Sequence, residues 1–359
     1  RQGVALGRAS NPDLRWESTR QFNVGLDIGI GDGFSFTTNY FIKNTVDLLF
    51  QPDVSGVIGS YGPGGQPPII NAGDVSNKGL EIELGYATDP IKAYGFGANF
   101  NMTYLRNEVL RTPDGVDFLP GANFGVGGNV ATRFEEGYDI GYFHGFETNG
   151  VYQSQAEIDA SDVIQEGAKP GDLRYVDQNG DGMINFSDDT DKKELGSPIP
   201  DFTFGLNLNA KLMRFDISAN IFSAIGQEII RNYERQQPYA NQLDYVINRW
   251  VGPNTSEYDP RLTTEANRNT EFSDYYVEKG DFMRIKNIQI GYTIPKSSLE
   301  KLRMESIRVY VSANNILTLT NYQGYDPEIG SNGGPLSAGV DYGFYPQARS
   351  VMGGFNFKF

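Results

Sequence analysis

The chain has 359 residues. Its most informative counts are 43 glycines, 23 phenylalanines, 21 tyrosines and no cysteine. Such an aromatic content argues against disorder, and the lack of cysteine excludes disulfides, thiolate zinc sites and cysteine catalysis. The formal net charge of −15, with no basic stripe, argues against nucleic-acid binding. No apolar run approaches the roughly 18 residues of a membrane-spanning helix, but a membrane β-barrel remains compatible because its strands are apolar only at alternate positions.

The first predicted strand covers residues 20–30, where Phe22, Val24, Leu26 and Ile28 alternate with polar residues and glycine. A period of two indicates a strand with one apolar face. The same alternation recurs to the C-terminal residue and predicts an antiparallel all-β protein. Its eleven strands are expected near 20–30, 34–48, 78–88, 93–107, 126–134, 138–150, 201–212, 215–225, 281–294, 305–315 and 349–359.

The predicted connections alternate between short and long. Short ones are expected at 31–33, 88–93, 213–214 and 295–305, the last with one helical turn near Leu299. The long ones, roughly 50–77, 154–200, 226–279 and 317–348, contain short helices, including part of 227–248. This alternation is typical of an outer-membrane barrel with short periplasmic turns and long extracellular loops.

The polar face of the predicted strands supports the same interpretation, because it is built from small residues such as Gly205, Asn207 and Asn209. A tilted strand of about ten residues spans roughly 24 Å, close to the ~25 Å apolar band of membrane barrels. A soluble β-sandwich is the alternative. Bacterial barrels have even strand numbers, so eleven strands with a periplasmic C-terminus predict a chain that begins partway round a barrel.

Several ordered motifs resemble one family throughout the chain. They are Asn11-Pro-Asp-Leu-Arg-Trp-Glu17, Asn77-Lys-Gly-Leu-Glu81, Gly171-Asp-Leu-Arg-Tyr-Val-Asp-Gln-Asn-Gly-Asp-Gly182, Gly196-Ser-Pro-Ile-Pro-Asp-Phe-Thr-Phe-Gly205, Val311-Ser-Ala-Asn-Asn-Ile-Leu317 and the terminal Phe359. Together they resemble the C-terminal half of a SusC/RagA-type TonB-dependent outer-membrane transporter of the Bacteroidota.

This resemblance implies a 22-stranded barrel in the outer membrane of a Gram-negative bacterium, in contact with the lipid bilayer and lipopolysaccharide. Residues 1–359 would be the C-terminal part of that barrel, and the plug domain and first strands would not be in this chain. The implied activity is TonB-energised import of oligosaccharides or peptides, without enzymatic chemistry, together with a SusD-type lid lipoprotein and in a dimer of transporter–lid pairs. The alternative is a structural or surface-interaction barrel, used in adhesion or secretion, without energy-coupled import.

Residues 177–188 match a calcium loop at several positions. Asp177, Asn179 and Asp181 occupy the first three side-chain ligand positions, Met183 would offer its carbonyl, and Asp188 replaces the usual glutamate. They predict a structural Ca²⁺ site in a loop. The alternative is a turn held by Asx hydrogen bonds.

Two further groups of residues bear on function. His144 is the only histidine and lies among aromatic residues, with no nucleophile or orienting acid in view, so a structural role is expected. Aromatic loop residues could stack on sugar rings or pack among the loops and against a lid. The candidates for substrate binding are Tyr322, Tyr325, Tyr342 and Tyr345.

Overall fold

The computed structural model describes residues 7–8, 10–51, 67–88, 94–125, 129–233, 243–299 and 304–359. Among these residues, nine long strands form one antiparallel sheet whose spatial order follows the chain. They are Ser18–Ile30 (β1), Phe34–Val46 (β2), Asp74–Ala87 (β3), Tyr94–Arg111 (β4), Phe202–Leu212 (β5), Phe215–Ile225 (β6), Phe282–Thr293 (β7), Ser306–Thr320 (β8) and Ser350–Lys358 (β9).

The pairing register gives this sheet two different faces. Leu206 of β5 lies between Phe100 of β4 and Ile221 of β6, while its chain neighbour Asn207 lies between Asn99 and Asn220. We call these the apolar face and the polar face. Because side chains alternate along a strand, the register carries the contrast across the whole sheet.

The two ends of the sheet also differ. Residues 31–33, Met213–Arg214 and 294–305 connect neighbouring strands at what we call the turn end. Gly33 (φ +112°) is required there, since a Cβ atom would lie 2.2 Å from the carbonyl oxygen of Ala87. A 3₁₀ turn at Lys296–Ser298 confirms the helical turn predicted near Leu299.

At the opposite end, the loop end, the described parts of three long connections fold into a layer of their own. These connections are 112–201, 226–281 and 321–349, and we call their described parts the loop layer. Its helices are Gln155–Asp159 (α1), capped by Ser154, and the 3₁₀ turns Asp244–Asn248, Asp274–Tyr276 and Pro335–Ser337. Its short strands are Phe118–Pro120, Asn123–Phe124, Asn129–Val130, Thr132–Glu135, Tyr142–Phe146, Thr148–Val151, Leu173–Tyr175, Lys192–Gly196, Glu228–Arg231, Val277–Lys279 and Val340–Asp341; Leu49–Phe50 and Ile70–Asn71 pair in the β2–β3 connection.

The larger apolar core lies in the loop layer rather than on the sheet. Phe143, Phe146, Leu173, Ile230 and Val340 come from all three connections and are almost completely buried. Glu228–Arg231 pairs with Val277–Lys279 and, in parallel, with Val340–Asp341, so backbone hydrogen bonds also join two of the connections. The loop layer is therefore a packed structure, stabilised by burial of apolar surface.

The structure confirms the all-β antiparallel prediction and corrects the strand count. Assignment of 126–134 and 138–150 to the large sheet is wrong: Thr132–Glu135 and Tyr142–Phe146 belong to a separate four-stranded sheet, and residues 126–128 lie outside the described residues. Tyr142–Phe146 is buried on both faces and has only five residues, whereas a wall strand needs about ten and one exposed face. Of the predicted helical stretch 227–248, the described parts form a strand at Glu228–Arg231 and a 3₁₀ turn at Asp244–Asn248.

Candidate functional site

A row of asparagines crosses the polar face of the sheet. The register places Asn99, Asn207, Asn220, Asn287 and Asn314 opposite one another on β4 to β8. Asn220 donates a side-chain hydrogen bond to Asn207, Asn287 donates to Asn314 (2.7 Å), and Asn314 donates to Ser350 of β9 (3.0 Å). Each amide carries both donors and an acceptor, so the row offers uncharged hydrogen-bonding groups to polar solutes.

A cavity of about 580 Å³ lies where the β8–β9 connection meets the loop end of β7 and β8. We call it the Tyr325 cavity. Tyr325 and Tyr345 line it and are 67% and 92% exposed, so much of each ring is open to solvent, although Tyr233 lies beside Tyr325 (6.3 Å between ring centroids). Arg284, Asp326 and Arg349 provide its charged groups. The arrangement combines aromatic surface with ionic groups, as ligand sites commonly do.

Arg284 is a buried residue of the cavity wall. Its guanidinium donates to Thr318 (2.8 Å), Glu328 (2.7 Å) and Asp326, and its side chain is only 3% exposed. Lys286 pairs with Glu328 as well. We call these four residues, Arg284, Lys286, Asp326 and Glu328, the Arg284 clamp; it fastens the β8–β9 connection to the polar face of the sheet.

The electrostatics of the clamp favour its ionised form. Burial acts to raise the pKa of Asp326, but hydrogen bonds from Arg284 and from the backbone N–H groups of Gln347 and Glu328 outweigh it, and the pKa lies below its usual value. The carboxylate thus stays charged and paired at neutral pH.

A second cavity, of about 290 Å³, lies on the other side of the clamp. Phe222, Ile229, Phe282 and Ile329 give it a mainly apolar wall, with Glu228 among its polar groups. Burial raises the pKa of Glu228, and the nearby carboxylates of Asp281 and Asp201 act in the same direction. The Asp326-Pro327-Glu328 segment separates the two cavities.

The four tyrosines predicted to bind substrate fall into two groups. Tyr325 and Tyr345 are brought together on one cavity. Tyr322 is 6% exposed and donates from its hydroxyl to the buried carboxylate of Asp341 (2.6 Å), which is typical of a core residue. Burial, together with that hydrogen bond, raises the pKa of Tyr322. Tyr342 is 39% exposed and packs edge-on against Phe344, outside the cavity. A role in substrate binding stays a prediction for all four residues.

The acidic loop predicted to bind calcium closes around its own carboxylates. Asp177 accepts from the N–H groups of Gly180 (2.7 Å) and Gly182 (2.8 Å), and Asp181 accepts from Met183 (2.9 Å). Asn179 accepts from Asp181, and Asp188 accepts from Thr190. Backbone hydrogen bonds from Gly182 and Gly180 lower the pKa of the exposed Asp177. These contacts are those of Asx turns, and the Ca²⁺ site stays a prediction.

Two observations concern metals and membrane helices. Among the residues that the structure describes, no group of three or more His, Asp or Glu side chains is arranged to hold a metal ion. Within the same residues, no helix has the length and apolarity needed to cross a membrane.

His144 has a structural environment. Burial lowers its pKa to about 4, with Arg133 acting in the same direction, and its Nδ1 is buried without a hydrogen-bond partner. The imidazole is therefore neutral at pH 7 and packs edge-on against Tyr142 (6.0 Å between ring centroids).

The sheet with one apolar and one polar face, tight turns at one end and a folded loop layer at the other, defines a barrel-wall protein. Residues 2–316 match the model of the family described as TonB dependent receptor-like, beta-barrel. The chain belongs to this family of outer-membrane proteins, which is not enzymatic, in agreement with the sequence-based expectation.

Named relatives and solved structures are consistent with this assignment. TonB-dependent receptor P3 of Formosa agariphila is 32% identical over 99% of the chain and 36% of its own length. TonB-dependent receptor SusC of Bacteroides thetaiotaomicron is 25% identical over 98% of the chain and 33% of its length. The structure of the RagAB peptide transporter matches with a TM-score of 0.76 at 22% identity, over 99% of this chain and 37% of that one, which shows the fold alone. The chain thus spans about a third of the length of the relatives it matches.

No sequence motif points to the clamp or to Arg349. Arg284 sits in an ordinary strand, and its acidic partners follow some forty residues later, with no motif linking them. The only available signal was the pair of acidic residues flanking Pro327 in a loop rich in aromatics.

Proposed function

We propose that this chain forms part of the wall and mouth of an outer-membrane importer for polar oligomers, either oligosaccharides or peptides. The observation that carries the proposal is the asparagine row on the polar face of a sheet whose other face is apolar. Side-chain amides hydrogen-bond sugar hydroxyls and peptide groups alike, and they attract no counter-ion. The folded loop layer, with its two cavities, would then provide the mouth of the path.

The proposal includes energy from TonB and a SusD-type lipoprotein lid over the loop layer. Support comes from the family and from the relatives named receptors of the TonB-dependent class, including SusC. The proposal also places the loop end outside the cell, the C-terminus in the periplasm, and two transporter–lid pairs in a dimer.

Uptake by cells tests this function directly. A strain lacking the full-length protein is compared with the same strain complemented by it, using fluorescently labelled neutral and acidic oligosaccharides and peptides above the porin size limit. Import predicts accumulation of at least one probe only in the complemented strain, abolished when the proton gradient is collapsed. Binding at the surface without energy-dependent accumulation would instead favour the surface-interaction barrel.

The partners need a separate measurement. The full-length protein, tagged and purified in mild detergent, is expected to carry a lipid-modified protein in a one-to-one ratio, with a native mass of two such pairs. A transporter that purifies alone under these conditions, with no lipid-modified protein bound, would contradict the lid.

A further inference from the structure

The charge of the Tyr325 cavity is opposite in sign to that of the protein. The chain has a formal net charge of −15, yet two guanidinium groups and a single carboxylate line this cavity, which leaves it with one positive charge. A positive site in an acidic surface concentrates anionic ligands locally.

The two guanidinium groups are not equivalent. Arg284 is buried, and its three nitrogens donate to Thr318, Glu328 and Asp326, so its hydrogen-bonding capacity is largely used inside the clamp. Arg349 is exposed, and its guanidinium makes no ion pair or side-chain hydrogen bond within the described ranges of the chain. A planar guanidinium presents paired N–H donors that match a carboxylate. Arg349 is therefore the group available to a ligand.

The aromatic part of the cavity adds a second requirement. Tyr345 is the most exposed tyrosine at the site and Tyr325 follows, and both line the same cavity as Arg349. Tyrosine rings pack on the apolar face of a sugar ring or on peptide side chains, and their hydroxyls hydrogen-bond the polar part. The ligand should thus carry a carboxylate beside a ring or side chain.

We infer that the Tyr325 cavity binds the carboxylate of an acidic oligomer, with Arg349 pairing to the carboxylate and Tyr325 and Tyr345 packing on the adjoining unit. This inference rests on the proposed import function and narrows its cargo to carboxylate-bearing oligomers. Both a uronic-acid oligosaccharide and a peptide with a free C-terminus supply this chemistry.

Calorimetric titration of the full-length protein in detergent tests the inference with four probes. They are a uronic-acid trisaccharide, its neutral counterpart, a tetrapeptide with a free C-terminus, and the same peptide as its C-terminal amide. The variants are Arg349→Gln, Arg349→Lys and Tyr345→Ala. Arg15→Gln is the control, because Arg15 is an exposed arginine that lines neither cavity.

The inference predicts that one carboxylate probe binds more tightly than its neutral or amidated counterpart. Which of the two probes does so shows whether the carboxylate belongs to an oligosaccharide or to a peptide. Arg349→Gln should weaken binding of that probe roughly tenfold or more, as expected for a charge-assisted hydrogen bond. The affinity of Arg349→Lys for that probe should lie between those of the wild type and Arg349→Gln. Tyr345→Ala should weaken binding of both the carboxylate probe and its uncharged counterpart. Arg15→Gln should bind both probes as the wild type does. A melting temperature equal to that of the wild type confirms that Arg349→Gln is folded.

Three results would overturn the inference: equal binding of charged and uncharged probes, unchanged binding by Arg349→Gln, or no binding of any probe. The uptake assay separates this failure from failure of the function. If energised uptake is the same in Arg349→Gln as in the wild type, the import function is supported and the carboxylate site is contradicted. Absence of any uptake removes the importer, while the titration still decides whether the site exists.

Discussion

At the scale of single residues, burial decides the role of each aromatic side chain, and composition does not reveal burial. Tyr322 and Tyr345 both lie in the β8–β9 connection, yet one is buried against Asp341 and the other is almost fully exposed. The sequence predicts substrate binding for four tyrosines of this connection, and two of them, Tyr325 and Tyr345, line the Tyr325 cavity. The sequence could not separate these tyrosines, because their environments depend on contacts with distant parts of the chain.

Tyr322→Phe should destabilise the loop layer. Removing the hydroxyl leaves one oxygen of the buried Asp341 carboxylate without its side-chain donor, at a cost of about 1–3 kcal/mol. Amide hydrogen exchange in residues 321–349 should speed up accordingly. The matched change Tyr345→Phe should leave exchange unaltered, and equal effects of the two variants would contradict the assignment of Tyr322 to the core.

The acidic loop gives a second residue-scale prediction. If Asp177, Asn179, Asp181, the Met183 carbonyl and Asp188 hold Ca²⁺, adding calcium should raise the melting temperature, by an amount equivalent to about 2.7 kcal/mol at a hundred times the dissociation constant. Asp181→Ala should lose this gain, whereas Asp114→Ala, an exposed control outside the loop, should keep it. A calcium response identical in wild type and Asp181→Ala would leave only the Asx turns.

At the scale of elements, the wall strands follow from local sequence pattern, whereas the loop layer depends on packing between distant parts of the chain. The nine wall strands could be predicted because alternation is written into each segment, as in Phe202–Leu212. The loop layer could not, because its core joins Phe143, Ile230 and Val340 across about two hundred residues. The sequence of Tyr142–Phe146 predicts a wall strand, and this prediction is wrong because the same apolar residues also suit a short strand buried on both faces.

The Arg284 clamp gives the element-scale prediction. Arg284→Leu leaves the buried Asp326 without its cation and removes one of the two cations that pair with Glu328, and breaking a buried pair costs about 3–5 kcal/mol. The β8–β9 connection should then detach from the sheet and become sensitive to limited proteolysis. Lys286→Leu, which removes a partner of Glu328 alone, should have a smaller effect.

The pH dependence of the clamp follows from the lowered pKa of Asp326. A depressed folded-state pKa gives stability that is present above the unfolded value near 3.9 and is lost as the pH falls through the folded value. Proteolysis of the connection should therefore rise in wild type only below about pH 4, whereas Arg284→Leu should be cleaved already at neutral pH. Equal cleavage of the two proteins at pH 7 would show that the clamp does not hold the connection.

At the scale of the whole molecule, the two ends of the sheet should face different compartments. The chain contains no cysteine, so single cysteines can be introduced without a competing thiol in this region. In intact cells, a membrane-impermeant maleimide should label Tyr345→Cys at the loop end and leave Met213→Cys at the turn end unlabelled until the cells are opened. The reverse pattern would place the loop layer in the periplasm and remove the proposed mouth.

The central claim is that the nine-stranded sheet is a barrel wall with lipid on its apolar face and a polar lumen on the other. Spin labels placed one at a time along residues 203–209 of β5, in the full-length protein in bilayers, test it most directly. Labels at Phe204, Leu206 and Leu208 should be accessible to oxygen dissolved in lipid, and labels at Thr203, Gly205, Asn207 and Asn209 to a water-soluble nickel complex. The ratio of oxygen accessibility to nickel-complex accessibility should alternate with a period of two residues. A uniform ratio along the strand would contradict the account.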